Sequence, residues 1–270
     1  MNDQSLFSRI SEQASGLGLP CSPEEIAHLA EIKDMSPDGI KAAMEIFEYL
    51  SLKKHEASIA TNLRLSRLPI KEPKTFDNFD FKRFHGKEVS LLESLPSLSG
   101  IYAHKNLAFI GPQGVGKTHL AMAYGYSCCE RGLKTYFIKA NELNQKLLMA
   151  RRNGKEGSVV NGLVKPSCLI IDEIGRCDFD LQNTRLFFDI IDRRQQKEGA
   201  NCIIFTSNKS PDKWISSFHE DDTLLCALDR SFDAATVFLF KGESYRGKNL
   251  KTVALTTDRT LIKETADDRS

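Results

Sequence analysis

The sequence predicts an α/β protein in which a five-stranded, mostly parallel sheet is flanked by helices and preceded by a small all-helical domain. From residue 107 onward, short apolar runs alternate with stretches of helical periodicity, a pattern typical of parallel sheets covered on both faces. The chain before Pro73 has helical periodicity alone. Pro69 and Pro73 end that pattern and mark a linker between the two regions.

The N-terminal region contains three predicted helical stretches. Ser22–Pro23 and Ser36–Pro37 each combine an N-cap residue with a proline at the first helical position, which favours the start of a helix. A third helical stretch continues to about Leu68. Residues 1 to about 20 are polar and contain Gly and Pro, so we expect them to be poorly ordered.

The region after the linker contains five predicted strands with helices between them. The strands are Leu107–Ile110, Thr135–Lys139, Cys168–Asp172, Cys202–Thr206 and Thr236–Phe240. The helical patterns lie near residues 117–131, 141–152, 182–198 and 211–231. The tail from Gly247 is polar, and we expect it to be disordered.

The composition is that of a soluble globular protein and excludes several classes. Of 270 residues, 41% are hydrophobic, and 37 basic residues against 36 acidic ones leave a net charge of +1. This balance excludes a uniformly basic, histone-like protein, although a neutral sum can hide a basic face. No apolar run approaches the ~20 residues that span a bilayer, and the N-terminus lacks a secretory signal. The seven cysteines show no metal-ligand spacing, so we expect a reduced, cytoplasmic protein with no membrane partner.

A complete phosphate-binding motif stands between the first predicted strand and the helix that follows it. Residues 111–118 read GPQGVGKT, which fits GxxxxGK[ST]. The glycines let backbone N–H groups converge on phosphate oxygens, while Lys117 would bridge the β- and γ-phosphates and Thr118 would ligate Mg²⁺. The predicted nucleotide-binding residues are Gly111, Pro112, Gln113, Gly114, Val115, Gly116, Lys117, Thr118 and His119.

Two acidic residues end the third predicted strand. Asp172 would hold Mg²⁺, and Glu173 would orient and polarise an attacking water molecule. Many strands end in acidic residues, but beside a phosphate loop this pair indicates hydrolysis of ATP. Simple nucleoside kinases need no water-activating residue at this position.

Polar residues at Thr206–Asn208 end the fourth predicted strand. A polar side chain there could reach the γ-phosphate and help to position the water molecule. Ser and Asn before Ser-Pro are also ordinary turn residues, so the residues alone favour neither interpretation.

These motifs, taken in order, resemble those of IstB-like ATP-binding proteins, AAA+ ATPases that accompany transposases in one class of bacterial insertion sequences. The similarity lies in GPQGVGKTHLAMA, in LIIDEIG, in FTSN with Trp214 shortly after, and then in Leu228–Arg230 and Lys241–Arg246. Order and spacing agree from about Ile40 to Arg246, roughly three quarters of the chain. DnaC-type helicase loaders share the same core motifs.

The resemblance implies a P-loop NTPase of the AAA+ class that forms ATP-dependent homo-oligomers and binds double-stranded DNA and the transposase of its element. It makes Asn208 the sensor-1 residue, Arg230 the arginine finger that reaches a neighbouring subunit's nucleotide, and Arg246 the sensor-2 residue. A guanidinium can offset charge on the transferring phosphoryl group. Without the resemblance, both arginines would be read as surface residues.

Two segments depart from the family pattern. Ile174–Asp178 replaces an aromatic residue and a Leu-Pro pair, and Ser231–Asp233 replaces apolar and His residues. The first departure concerns contacts on the substrate side and the second concerns the subunit interface. Neither includes a hydrolytic residue.

Two other functions stay open. A loader of a replicative helicase would use the same chemistry on another client, although the two proline-led helices fit the insertion-sequence group better. A nucleotide-gated clamp on DNA would turn over little ATP, and the intact Asp172–Glu173 pair argues against it.

Two basic stretches are candidates for contact with DNA phosphates. Residues 53–87 contain nine basic and four acidic side chains, and residues 130–165 contain eight and three, so each stretch carries +5. Lys and Arg on helix faces are often only solvated, but such stretches can also follow phosphates. Arg151, Arg152 and Lys155, in a Gly-containing loop, are the preferred contacts.

An aromatic segment at Thr75–Phe81 resembles the family's entry into the ATPase domain. Its rings would either pack beside the adenine or anchor the linker onto the core. The predicted organisation is therefore a helical domain with its linker at 1–73, an AAA+ ATPase domain at 74–246 and a polar tail at 247–270.

Overall fold

The computed structural model describes residues 3–210, 213–219, 235–242 and Ser244. Within these ranges the chain forms nine α-helices and five β-strands. The helices are α1 (Asp3–Leu17), α2 (Pro23–Ile32), α3 (Pro37–Ser66), α4 (Val89–Glu93), α5 (Ser99–Tyr102), α6 (Lys117–Glu130), α7 (Ala140–Arg152), α8 (Glu156–Val164) and α9 (Leu181–Gln195). The strands are β1 (Leu107–Ile110), β2 (Thr135–Lys139), β3 (Cys168–Asp172), β4 (Cys202–Ser207) and β5 (Thr236–Leu239).

All five strands belong to one parallel sheet with the order β2-β3-β4-β1-β5, which confirms the predicted fold class. β4 lies between β1 and β3, with Leu107 opposite Ile204 and Cys168 opposite Cys202. Because parallel strands end at the same edge of a sheet, the segments that follow β1, β3 and β4 meet there. The topology thus brings the phosphate loop, the acidic pair and Asn208 to one edge.

The sheet separates two hydrophobic clusters, one on each face. On β3, Leu169 and Ile171 belong to the cluster formed with α7, α8 and α9, whereas Cys168 and Ile170 belong to the cluster formed with α6. β1, β3 and β4 are buried along their whole length. Burial on both faces explains why these strands are continuous apolar runs instead of alternating patterns.

The expectation of a poorly ordered N-terminus is wrong, because α1 occupies that segment. Leu6, Ile10 and Ala14 recur every four residues and are buried on one face of the helix. Leu6 and Ile10 pack with Ile40 and Met44 of α3. The mean hydropathy of the segment is low, so composition alone does not reveal this apolar stripe. The stripe is enough to hold an amphipathic helix against its neighbours.

The second and third predicted helical stretches form one continuous helix, α3, of 30 residues. No proline or glycine interrupts the chain after Gly39 until α3 ends at Ser66. Asn62 near its end donates to the backbone oxygen of Gly132 at 3.0 Å, and Leu68 is buried in the cluster under α6. The end of α3 therefore packs on the sheet region, and the division at residue 73 stays a prediction.

Two helical segments differ from the sequence patterns. The patterns do not predict α8, in which Gly157 and Gly162 weaken the helical signal while Val160 and Leu163 are buried against α9. The helix predicted over 211–231 lies mostly outside the described residues, and the described part contains a 3₁₀ turn at Ile215–Ser217. The tail at 247–270 also lies outside them. None of the described helices has the length and apolar character needed to cross a membrane.

Candidate nucleotide-binding site

The phosphate loop joins β1 to α6 at the carboxyl edge of the sheet. Gly111 and Gly116 have φ angles of 153° and 105°, a region that favours glycine. A Cβ atom at Gly116 would lie 2.8 Å from Cε2 of Phe79, and one at Gly111 would overlap the carbonyl oxygen of Phe240. Both conformation and space therefore require glycine at these two positions, and the backbone itself forms the wall of the site.

Lys117 is the first residue of α6, and its side chain is buried in the loop. Its Nζ atom donates to the backbone oxygens of Gly111 at 2.8 Å and Pro112 at 2.6 Å. A buried ammonium group needs such partners, because burial without hydrogen bonds is costly. The contacts hold the charge inside the curve of the loop, where phosphate oxygens can replace the carbonyl oxygens.

Thr118 and Asp172 meet across this edge of the sheet. Oγ1 of Thr118 donates to Oδ1 of Asp172 at 2.8 Å, and Oγ1 of Thr206 donates to the same oxygen at 2.6 Å. Mg²⁺ is usually held by one or two protein oxygens together with substrate phosphates. The pair fits such a site, and the described part of the chain contains no group of three or more His, Cys, Asp or Glu side chains suited to a metal.

Glu173 lies on the turn directly after β3. Its φ angle is 62°, a left-handed conformation that costs ~1–2 kcal/mol for a residue with a side chain. The N–H of Glu173 donates to Oγ1 of Thr206 at 3.0 Å, and the N–H of Ile174 donates to the backbone carbonyl oxygen of Thr206 at 2.9 Å. Its carboxylate accepts a hydrogen bond from Nη1 of Arg176 at 2.7 Å. The end of β4 therefore holds the strained backbone, while Arg176 holds the side chain.

Ser207 and Asn208 have different environments at the end of β4. Ser207 is buried, and its Oγ atom donates to the Ile174 oxygen at 2.7 Å and accepts from Nε1 of Trp214 at 2.9 Å. Asn208 is exposed at the edge where Asp172 ends β3. Ser207 therefore stabilises the turn, and the Asn208 side chain is accessible to a ligand.

A cleft of about 640 Å³ opens beside the phosphate loop, within the range of ligand pockets. Its lining includes residues of the phosphate loop and of the segment before α4, namely Gly114, Gly116, Lys117 and Thr118, and Lys74, Asn78, Phe79, Asp80 and Arg83. The rings of Phe79 and His119 meet edge to face with centroids 5.2 Å apart. Phe76 and Phe79 are also buried in the cluster under α6, so the aromatic segment anchors the linker while Phe79 faces the cleft.

His119 is half-buried between the aromatic segment and α6. Burial lowers its pKa, the charge of Lys74 lowers it further, and a hydrogen bond to the Thr75 carbonyl oxygen opposes both effects. That oxygen can only accept, so the Nε2 atom 3.0 Å away is the donor. His119 therefore fixes the aromatic segment beside the cleft as a neutral side chain.

The sequence profile of IstB-like ATP binding proteins matches residues 25–253. The chain belongs to this family. The similarity covers both the α2–α3 region and the sheet region, so it is not limited to the phosphate loop.

Three relatives of this IstB-like protein come from insertion sequences. It is 36% identical over 241 residues to the ATP-binding protein of insertion sequence IS5376 from Geobacillus stearothermophilus, over 88% of this chain and 93% of the relative. It is 30% identical over 226 residues to the ATP-binding protein of IS232 from Bacillus thuringiensis subsp. berliner, a match that covers 82% of this chain and 88% of the relative. It is 31% identical over 207 residues to the ATP-binding protein of IS21 from Pseudomonas aeruginosa, a match that covers 77% of this chain and 76% of the relative.

Solved structures show that the IstB-like protein shares the AAA+ fold. AMPPCP-bound DnaA from Aquifex aeolicus has a TM-score of 0.53 and 21% identity, over 64% of this chain and 51% of that chain. DnaI has a TM-score of 0.52 and 17% identity, and the match covers 64% of this chain and 95% of the DnaI chain. The chain thus spans about half the length of the DnaA chain that it matches. At these identities the likeness establishes the fold alone.

The structure of the IstB-like protein brings together residues 111–119, Asp172, Glu173 and Asn208 at the carboxyl edge of the sheet. Arg230 and Arg246 lie outside the described residues, so their roles as arginine finger and sensor-2 residue stay predictions.

Of the three predicted DNA contacts, Arg151 and Arg152 are the last two residues of α7 instead of loop residues, and Lys155 lies directly before α8. Nη1 of Arg151 lies 2.8 Å from each carboxylate oxygen of Asp180 and 3.0 Å from Oδ1 of Asn183. The backbone N–H of Asn183 and the Arg151 guanidinium lower the pKa of the Asp180 carboxyl. Arg151 therefore ties α7 to α9, whereas Arg152 and Lys155 are exposed.

Two residues of this site have contacts that the sequence analysis does not predict. Thr206 binds both Asp172 and the backbone of Glu173, and its signal is a hydroxyl residue near the end of a strand. Arg176 binds Glu173, and its signal is an opposite charge three residues later. The first contact depends on strand order and the second on the shape of a turn, so neither follows from the motifs.

Proposed function

We propose that this protein is a Mg²⁺-dependent ATP hydrolase that binds duplex DNA and assists the transposition of an insertion sequence. The observation that carries the proposal is the Asp172 carboxylate oxygen that joins Thr118 of the phosphate loop to Thr206 of β4, with Glu173 directly after it. This arrangement combines a phosphate-binding group, a site for Mg²⁺ and a carboxylate that can act on water.

Each residue of the site has a distinct task in this reaction. Lys117 and the backbone of the loop bind the phosphates, and Thr118 and Asp172 hold Mg²⁺, which neutralises charge on the phosphate oxygens when bound. Glu173 accepts a proton from the attacking water through its carboxylate. Asn208 donates to the water or to the terminal phosphate, which completes the positioning of the reacting groups.

The biological role rests on the relatives and on the charge distribution. Three relatives that cover most of the chain at 30–36% identity are ATP-binding proteins of insertion sequences, which favours transposition as the process served. The exposed Arg152 and Lys155 and the basic stretch around them favour contact with DNA phosphates. On this proposal, ATP favours an oligomer on target DNA in which Arg230 completes a neighbour's site and Arg246 acts on its own, and the assembly engages the transposase.

ATP hydrolysis by the wild type and by Glu173→Gln, each with and without duplex DNA, tests the proposal. We expect Glu173→Gln to bind ATP with unchanged affinity and to hydrolyse it about 10²- to 10⁴-fold more slowly, because general base catalysis typically contributes about that much. Glu198→Gln, at an exposed position after α9 and outside both basic stretches, is the matched control. A wild type that binds ATP and never hydrolyses it, with or without DNA, would contradict the proposal and favour a clamp.

The size of the protein in solution tests assembly separately. With duplex DNA, a non-hydrolysable ATP analogue is expected to give a larger species than ADP does. A single size under both conditions would exclude ATP-dependent assembly.

A further inference from the structure

An apolar cleft of about 450 Å³ lies among the three N-terminal helices, apart from the nucleotide site. Its lining includes Phe7 and Ile10 of α1, Ile26 and Leu29 of α2, and Ala43 and Phe47 of α3. Among the described residues Glu25 is the one charged residue that lines it. Leu29 is 54% exposed although it is apolar, so this surface is open to solvent.

The packing of the three helices leaves this apolar cleft uncovered. α1 packs more extensively against α2 and α3 than α2 and α3 pack against each other. The fully buried apolar core that the three helices share is small and consists of Leu6, Ile10, Ala30, Ile40 and Met44. Such a small core contributes little stability by itself. A helix that lies between α2 and α3 would complete a four-helix arrangement and enlarge this core.

The charge of the surrounding helices selects the chemistry of the occupant. Residues 21–48 contain seven acidic and two basic side chains, a net charge of −5. Six of the acidic side chains are exposed, and the seventh, Glu48, is paired with Arg9. An acidic surface repels DNA and anionic membranes and attracts a cationic partner. The two basic stretches of the chain lie outside this range.

We infer that the cleft binds a basic amphipathic helix of a partner protein. Apolar side chains spaced three or four residues apart on that helix enter the cleft, and its Lys and Arg side chains face the acidic residues of α2 and α3. This interaction goes beyond the proposed function and needs neither nucleotide nor hydrolysis, so its failure and the failure of the ATPase proposal are distinguishable.

A pair of synthetic peptides tests the inference on the full-length protein without nucleotide or DNA. One is a fluorescent 18-residue helix made only of Leu and Lys, with Leu at helical spacing, and the other has Glu in place of every Lys. We expect the Lys peptide to bind, the Glu peptide not to bind, and the Lys peptide to gain helical circular dichroism when bound. Fluorescence anisotropy gives the two affinities.

Two variants of equal charge separate the cleft from general electrostatic attraction. Leu29→Lys changes a residue that lines the cleft, and Ile32→Lys changes a residue of the same helix that does not; both side chains are more than half exposed, so both variants should fold. We expect Leu29→Lys to raise the Kd of the Lys peptide about tenfold, as for an interface anchor, and Ile32→Lys to raise it far less. Thermal unfolding confirms that both variants are folded.

Three results would overturn the inference. Equal weakening by both variants would mean that only the acidic surface attracts the peptide. Equal binding of the Glu peptide would mean that charge does not select the occupant. Self-association of the wild type that Leu29→Lys abolishes would identify a second copy of this chain as the occupant.

Discussion

Arg176 is ion-paired with Glu173, the carboxylate to which we assign water activation, and its Nη1 atom lies 2.7 Å from Oε1. The two residues are three positions apart on the turn after β3, and both side chains are well exposed. A guanidinium at this distance occupies a carboxylate oxygen and stabilises its charge. In this state the Arg176 guanidinium occupies one oxygen of the Glu173 carboxylate, and the side chain is restrained.

Replacement of Arg176 by Gln is expected to raise the basal rate of ATP hydrolysis about two- to fivefold with little change in KM. An exposed ion pair contributes about 0.2–1 kcal/mol, and its loss frees the Glu173 carboxylate. Initial rates at saturating ATP without DNA measure the effect. Arg193→Gln removes another exposed ion pair, to Asp189 within α9, and is the control. A slower Arg176→Gln enzyme would show that Arg176 assists Glu173 instead of restraining it.

Replacement of Thr206 by Val is expected to raise the Mg²⁺ concentration at half-maximal rate about tenfold or more. The hydroxyl donates to the Asp172 carboxylate, and a hydrogen bond to a charged group contributes about 1.5–3 kcal/mol. Rates measured against Mg²⁺ concentration at fixed ATP test this, and Thr206→Ser, which keeps the hydroxyl, should restore the wild-type dependence. If Val changed only thermal stability, the Thr206 hydroxyl would have no part in holding Mg²⁺.

The basic segment from the last turn of α7 to the residue before α8 gives a prediction about DNA. Arg152→Ala and Lys155→Ala should each reduce the salt slope of log K by about 1 and weaken binding to different duplexes equally, as phosphate contacts do. Arg151→Ala should leave the slope unchanged and lower the melting temperature, because Arg151 is bound to Asp180 and Asn183. Anisotropy titrations between roughly 50 and 200 mM salt distinguish the variants. If none of the three variants changes the salt slope of log K, the DNA contacts lie elsewhere on the protein.

His119 gives a prediction about stability and pH. Its pKa is lowered below 6.5 by burial, so the unfolded chain takes up a proton at a higher pH than the folded chain does. The stability that the neutral side chain contributes is therefore present above pH 6.5 and is lost as the pH falls below that value toward the lower folded pKa.

His119→Gln should accordingly reduce the dependence of the urea midpoint on pH between about 7.5 and 5. His28→Gln, at an exposed position of α2, serves as the control. If the urea midpoint depends on pH equally in the wild type and in His119→Gln, His119 is not the group whose protonation destabilises the fold.

Local patterns predict most of the sheet region. β1, β3 and β4 are short apolar runs because they are buried on both faces, and the phosphate loop needs glycine where the backbone has positive φ. The acidic residues at the end of β3 are equally local signals. Composition is a weaker guide, since α1 lies in a segment whose polar average hides Leu6 and Ile10.

The contacts within the site depend on residues far apart in the chain. Thr118, Asp172 and Thr206 meet because β4 lies between β1 and β3 in the sheet. Arg151 illustrates the same point, because its sequence neighbours indicate a DNA contact while Asp180, on another element, binds its guanidinium. Residue types and spacing thus specify the strands, the phosphate loop and the class of chemistry. Only the tertiary structure decides the partners of Asp172 and Arg151, because Coulomb and hydrogen-bond energies depend on distances between atoms that are far apart in the sequence.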